Sequence, residues 1–133
     1  MHIVYYFFDF TYFFLYFLYM TYKSENNKTW IEDDNGKQIA ILEYPEVKPG
    51  LVNLVHTEVA PEMNGQGLAG KITEYVANEL RKQGIKAELT CSYSIKWFSK
   101  HPEYNDILSD PEAEAKKAAQ LAGPACGIQR KYS

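Results

Sequence analysis

His56 and Glu58 stand two residues apart in the stretch LVNLVHTEV. An extended chain places such an imidazole and carboxylate on one face, about 7 Å apart along the strand. Either group is suited to take a proton from a nucleophile. Cys91 closes a later apolar stretch, IKAELTC, and brings a thiol; Tyr93 follows with a phenol that can return a proton. Between the two stretches lies APEMNGQGLAGKI, where Gly65, Gly67 and Gly70 fall at the junction of an extended run and a helical pattern. Glycines there let backbone N–H groups turn toward an anion, and the helix that follows adds the partly positive end of its dipole. The spacing alone admits three phosphate loops, and it also fits a plain connector from strand to helix.

Two of the three phosphate loops fail on their surroundings. Gly65-x-Gly67-x-x-Gly70 spells the dinucleotide fingerprint, and Glu88 lies near the distance at which an acidic ribose ligand is needed. That fingerprint requires its first glycine directly after the strand, but Ala60 to Asn64 intervene after Val59, and the chain is too short for a doubly wound sheet. Gly65-x-x-x-x-Gly70-Lys71 lacks the next hydroxyl of a nucleotide P-loop, since Ile72 stands where Ser or Thr would hold magnesium.

The third pattern fits the spacing. A strand ending at Val59, then Pro61, Asn64-Gly65-Gln66-Gly67-Leu68-Ala69-Gly70 and a helix resembles the acyl-CoA pyrophosphate loop of the GNAT N-acetyltransferases. The family pattern Arg/Gln-x-x-Gly-x-Gly/Ala aligns Asn64, Gly67 and Ala69, with Asn64 departing from the usual Arg or Gln. HTEV before the loop, TCSY after the next strand and HPEY beyond it look like the minimal, single-domain YjdJ-type branch of that superfamily, over residues 28–108.

The resemblance implies an acetyl-CoA-dependent N-acetyltransferase acting on an unidentified amine, with no metal. A non-catalytic acyl-CoA-binding module is the alternative, and an interaction domain whose glycine turn binds nothing is the third option. It further implies that Val59, Asn64, Gly65, Gln66, Gly67, Leu68, Ala69 and Gly70 meet the cofactor. Tyr93, Lys96 and Lys100 are candidates for further cofactor contacts. Glu58, His56 and Cys91 are the catalytic candidates, Cys91 either lining the acetyl pocket or accepting the acetyl group. Tyr104 is a second candidate proton donor. His101 is either a CoA contact or a cation at a helix end.

Several elements must position these residues. TWIEDDNGKQIAILEY reads as a hairpin turned by Asp34-Asn35-Gly36, because Asn-Gly tolerates positive φ. PEVKPG reads as a loop. Residues 51–59 read as one strand with Val52, Leu54, His56 and Glu58 sharing a face. Leu68, Ile72, Tyr75, Val76 and Leu80 recur at helical spacing over about 67–83, and Gly84 stands where a helix cap belongs. A strand over 85–91, a short helix over 94–100 and an Ala-rich helix from Asp110 to Ala122 follow, with a tail behind them. This order gives an α/β (α+β) layered fold. The resemblance makes it a minimal GNAT fold, a mixed and mostly antiparallel sheet with a splayed strand pair and flanking helices.

At 133 residues the chain has room for one modest core. Its net charge of −3 argues against gripping nucleic acid through the phosphate backbone. Cys91 and Cys126 form neither a disulfide framework nor a zinc pattern, which favours a reducing, cytoplasmic setting. Residues 1–20, MHIVYYFFDFTYFFLYFLYM, are a separate aromatic segment without the marks of a secretory signal. They read as a membrane anchor, as translation from an over-early start with Met20 the true first residue, or as an integral part of the fold. A membrane is a partner only if they are genuinely translated. Residues 28–108 then form the GNAT-like domain and residues 109–133 a C-terminal helix and tail.

Overall fold

The turn at Asp34-Asn35-Gly36 forms as its residues dictate. Asp33 Oδ1 accepts the backbone N–H groups of Asn35 and Lys37, and Gly36 takes φ +80°. It joins β2 (Lys28–Glu32) to β3 (Gln38–Glu43), paired antiparallel with Thr29 opposite Leu42 and Ile31 opposite Ala40. The computed structural model describes residues 20–122. The anchor and start-codon readings of the N-terminal segment and the tail from Gly123 therefore lie outside the described residues. A strand not expected from the sequence, β1 (Thr21–Ser24), extends the sheet beyond β2, and its Tyr22 stacks on Tyr75 with centroids 4.4 Å apart.

Residues 51–59 form two strands rather than one. β5 (Leu51–Leu54) and β6 (His56–Val59) are separated at Val55. β6 pairs antiparallel with β3, while β5 pairs antiparallel with β4 (Glu46–Lys48) and parallel with β7 (Lys86–Leu89). The sheets are thus β1-β2-β3-β6 and β4-β5-β7. They meet where the hairpin bends on both sides, at Tyr44-Pro45 and at Val55. Across this bend Val55 N–H donates to Glu43 O and Asn53 N–H to Pro45 O, both at 3.0 Å. PEVKPG is therefore partly strand, with Gly50 turning at φ +85°.

The interruption also changes which face is buried. Val52 and Leu54 are buried on β5, whereas on β6 the half-buried residues are Thr57 and Val59 and the exposed ones His56 and Glu58. The register agrees, since Thr57 lies opposite the buried Leu42 and Val59 opposite the buried Ala40. His56 and Glu58 accordingly share their face with Leu51 and Asn53. The expected grouping with Val52 and Leu54 fails because one extra residue at Val55 inverts the alternation.

One helix closes the core over this sheet. α1 (Leu68–Gln83) buries Leu68, Ile72, Val76 and Leu80 at successive intervals of four, with Thr73 and Ala77 beside them. Gly84 ends it in the left-handed conformation, so that its N–H and that of Ile85 return to the carbonyls of Arg81 and Leu80. α2 (Ser92–Ser99) adds Ile95, Trp97 and Phe98, and a 3-10 helix (Pro102–Ile107) adds Tyr104 and Ile107. Helix α1 is clamped to that segment through Arg81, which grips both carboxylate oxygens of Asp106 at 2.6 and 2.8 Å.

α3 (Pro111–Ala122) starts where Asp110 Oδ1 accepts Ala113 N–H. It shields the outer edge of β7, a row of backbone groups that would otherwise lack partners. Ser109 N–H donates to Ala87 O; Glu114 Oε2 accepts Leu89 N–H at 3.2 Å; Lys117 Nζ donates to Leu89 O at 2.7 Å. A carboxylate and an ammonium thus stand in for a neighbouring strand. Glu114 is only 5 % exposed. Replacing it by alanine leaves Leu89 N–H unpaired, and Glu114→Ala is expected to lower stability by about 1–3 kcal/mol. Urea denaturation reads this as a lower midpoint at unchanged slope.

Candidate functional site

Beyond Leu54 and Leu89 the two central strands part. Leu54 O accepts both Thr90 N–H at 3.0 Å and Cys91 N–H at 2.9 Å, and the parallel ladder stops there. β6 continues with β3 alone, while the chain after Cys91 turns into α2. An unpaired edge of β6 therefore faces the start of α2 across a slot. Across it Cys91 Sγ donates to Thr57 Oγ1, 3.5 Å away.

The glycine turn stands at the end of β6. Pro61–Met63 make a single 3-10 turn, followed by Gly65 at φ +85° and Gly67 at φ +75°. A Cβ at either glycine would meet no atom within 4 Å, so the requirement there is conformational rather than steric. The backbone N–H groups of Gly65 and Gly67 make no backbone hydrogen bond among the described residues. Gly67 is the N-cap of α1, with no side-chain cap and no acidic residue in the first turn. Unbonded N–H groups beside a free helix N-terminus suit an anion such as a pyrophosphate.

Gly70 does something different from its two neighbours in sequence. It sits inside α1, and a Cβ there would lie 3.4 Å from Tyr93 Oη and 3.6 Å from Trp97 Nε1. Its bare face lets α2 approach α1. Leu68 is buried, so its side chain belongs to the core and only its backbone faces the loop; Val59 likewise packs against the core. Asn64, Gly65, Gln66 and Gly67 are exposed, and Ala69 and Gly70 half-buried.

Cys91 is the N-cap of α2 rather than the last residue of a strand. Burial pushes its thiol up, but the polar groups around it, the hydroxyl of Thr57 first and then those of Ser94 and Tyr93, outweigh that and hold it below the ordinary value. Tyr93 is shifted the other way, raised by burial and then by the charge of Cys91, so its phenol keeps its proton. Lys96 is exposed on α2 and Lys100 at its C-cap, three and seven residues beyond Tyr93 and so on its side of the helix. Tyr104 is placed elsewhere. Its hydroxyl donates to Asn78 Oδ1, eight residues along α1 from Gly70 or about 12 Å of helix. His101 stacks on Trp97 at 4.0 Å, with Nδ1 2.7 Å from Trp97 O.

His56 and Glu58 do come together, Nε2 to Oε1 at 3.1 Å, with side chains 52 % and 70 % exposed. They occupy the outer face of β6, whereas Thr57 and the Cys91 sulfur lie on the helix-covered face. The three candidate catalytic residues thus lie on two faces, His56 and Glu58 on the outer one and Cys91 on the covered one. Thr57 and Ser94 were not singled out from the sequence, where an isolated hydroxyl carries no pattern. Among the described residues no group of three or more His, Cys, Asp and Glu side chains is placed to hold a metal ion. No helix of the described residues is long and apolar enough to cross a membrane.

Comparison with known proteins bears on this arrangement. Residues 28–107 match the family model for the GCN5-related N-acetyl-transferase. Protein NATD1 of Homo sapiens is 33% identical over 63 residues, which span 47% of this chain and 56% of that protein. The Gallus gallus protein of the same name is 33% identical over 63 residues, 47% of this chain and 57% of its own. The matches thus span little more than half the length of these relatives. A GCN5-like protein of Staphylococcus aureus, solved by NMR, superposes with a TM-score of 0.57 at 29% identity, covering 68% of this chain and 88% of its own.

The three glycines should separate on substitution. Gly65→Ala and Gly67→Ala are each expected to cost about 1–2 kcal/mol, because an L side chain is strained in the left-handed region. Gly70→Ala gains about 0.8–1 kcal/mol of helix propensity against a contact at ordinary distance, and should match or slightly exceed the wild type. Thermal unfolding of the three variants checks the ordering.

Proposed function

The chain belongs to the GCN5-related N-acetyl-transferase family, and from that premise we propose that it transfers an acetyl group from acetyl-CoA to the nitrogen of an amine. The observation that carries the reading is the slot between β6 and α2, opening directly beside the left-handed glycine turn and the N-terminus of α1. A phosphorylated carrier held at the turn can lay an extended arm along the unpaired edge of β6. Acetyl-CoA, when bound, supplies the acyl group as a thioester open to attack by a neutral amine.

Each part of the site then has a task. The N–H groups of Gly65, Gln66 and Gly67, with the first turn of α1, receive the pyrophosphate. Val59 and the rest of the β6 edge offer backbone groups to the arm. Lys96 and Lys100 stand on α2 to meet further phosphates. An amine at neutral pH carries a proton that must leave before attack. Glu58 Oε1, hydrogen-bonded to His56 Nε2, takes it on the outer face of the sheet. Entry of donor and acceptor from opposite faces keeps the base away from the cofactor-binding turn. Tyr93 Oη holds a proton beside the slot at neutral pH. The reading carries with it a cytoplasmic setting, where acetyl-CoA and free thiols coexist.

Calorimetric titration with acetyl-CoA tests the reading. Binding is expected for the wild type and at least about tenfold weaker binding for Gly67→Trp, since an indole at the cradle would occupy the pyrophosphate's place and each tenfold is about 1.4 kcal/mol. Glu58→Gln should keep that binding and lose about 10²–10⁴-fold in turnover with a responsive amine. A folded wild type that does not bind acetyl-CoA contradicts the proposal. Binding without turnover across small amines, polyamines, peptide N-termini and protein lysines would identify an acyl-CoA-binding module.

A further inference from the structure

Cross-strand pairing lays out one row of side chains on the outer face of the four-stranded sheet, away from α1. Lys23 stands opposite Trp30, Trp30 opposite Ile41, and Ile41 opposite Glu58. On one side of this row Glu32 faces Gln38; on the other Lys28 faces Glu43, which faces His56. Trp30 and Ile41 are half-buried, so an apolar strip one residue wide runs between two polar rows. From Glu58 it reaches Trp30 after two strand spacings, about 10 Å. The indole is fixed in place, since Trp30 Nε1 donates to Glu32 Oε2 at 2.8 Å. Beside Glu58 the strip opens into a hollow of about 220 Å³ walled by Gln38, Ile41 and Ala60. The bulge opposite Ile31 and Glu32 shapes this end. Ile39 and Ala40 are both buried, which leaves Gln38 and Ile41 together on the outer face.

The charges along the strip are matched except at that hollow. Lys23 binds Glu32 at 3.1 Å, and Lys28 lies opposite Glu43. Glu58 has the apolar Ile41 across from it, and its hydrogen bond is to His56. We propose that the acceptor is a primary amine with a single charge and an apolar, aryl-bearing body that spans the two strand spacings from Glu58 to Trp30. Its nitrogen sits in the hollow beside Glu58, and its body crosses Ile41 to stack on the Trp30 indole. The inference rests on the acetyl-transfer reading above and names its substrate class. Glu58 takes one proton from the ammonium. The nitrogen then bonds the acetyl carbon as the C–S bond breaks, and its second proton leaves with the sulfur. A second ammonium farther along the chain would lie over Ile41 and Trp30, where both oxygens of Glu32 are engaged and Lys23 stands next in the row. Polyamines are therefore poor acceptors, and Trp30 determines specificity without touching the reacting atoms.

Steady-state thiol release by the full chain at saturating acetyl-CoA tests this with phenylbutylamine, butylamine and spermidine. Phenylbutylamine is expected to exceed both others in kcat/KM by about tenfold or more, as burial of an aryl ring against an indole allows. Trp30→Ala should raise KM for phenylbutylamine about tenfold while kcat, the butylamine rate and acetyl-CoA binding stay near the wild type. Trp30→Phe should recover most of that loss, which separates contact with the amine from a general loss of fold. The two tryptophans give a readout that needs no turnover. Phenylbutylamine, added with acetyl-CoA, should move the indole N–H resonance of Trp30 and leave that of the buried Trp97 in place. Spermidine turned over as well as phenylbutylamine, an unchanged KM in Trp30→Ala, or an unmoved Trp30 resonance would overturn the inference. Acetyl-CoA binding in the same samples would then leave the acetyl-transfer reading standing, whereas its absence contradicts both. Where no amine is turned over, the Trp30 resonance alone decides.

Discussion

The peptide group between Leu54 and Val55 serves both halves of the sheet. Its carbonyl accepts two consecutive N–H groups, Thr90 and Cys91, and its N–H donates to Glu43 O on the other side. A carbonyl with both lone pairs engaged at the end of a ladder cannot carry that ladder further. From there β6 follows β3, and the chain beyond β7 is released to turn into α2. The slot, the unpaired edge of β6 and the inversion of faces that sends His56 and Glu58 outward all follow from this handover. A slip of one residue here would send His56 and Glu58 to the covered face.

The remaining structure holds the two walls of the slot in place. Arg81 grips Asp106 at two points and lies over the Tyr104 ring at 4.6 Å, and Tyr104 donates to Asn78. These contacts pin the C-terminal half of α1 to the segment after α2. The N-terminal half is left to present the glycine turn. There α2 approaches through Gly70, with Tyr93 and Trp97 against its bare face and His101 stacked behind the indole. Glu62 is ion-paired to Lys37 of the hairpin turn, which ties the loop before the glycines to the sheet. The site is thus built on helix and strand ends, with Asn64 to Gly67 exposed at its mouth.

Local signals in the sequence were legible where one residue decides a conformation. Asn35-Gly36 fixes the hairpin, Gly84 ends α1, and Asp110 begins α3. The fourfold spacing of Leu68, Ile72, Val76 and Leu80 marks the covering helix. The family resemblance, and with it the mixed and mostly antiparallel fold with one splayed pair, was carried by the loop and its flanking motifs together. The break at Val55 was hidden, because LVNLVHTEV reads as an unbroken strand and the cause lies opposite, in the bend at Tyr44-Pro45. β4 was masked by the two prolines that flank it. β1 is four residues beside a segment set aside for its composition. The contact of Thr57 with Cys91 depends on β6 meeting the start of α2, which no spacing within either encodes. Glu114 carries no signal of its own within the Ala-rich helix, and only the edge of β7 makes it a buried carboxylate.

The central claim is that an acyl-CoA lies in the slot between β6 and α2 with its phosphates at the glycine turn. Adding acetyl-CoA to the isotopically labelled protein and following its backbone amide resonances tests this most directly. The account predicts shifts concentrated at residues 65–70, at Thr57 and Val59 along β6, and at Cys91 to Tyr93, with the β1–β2 turn and the C-terminal end of α1 unmoved. Shifts confined to other surfaces, or none at saturating acetyl-CoA, would contradict it.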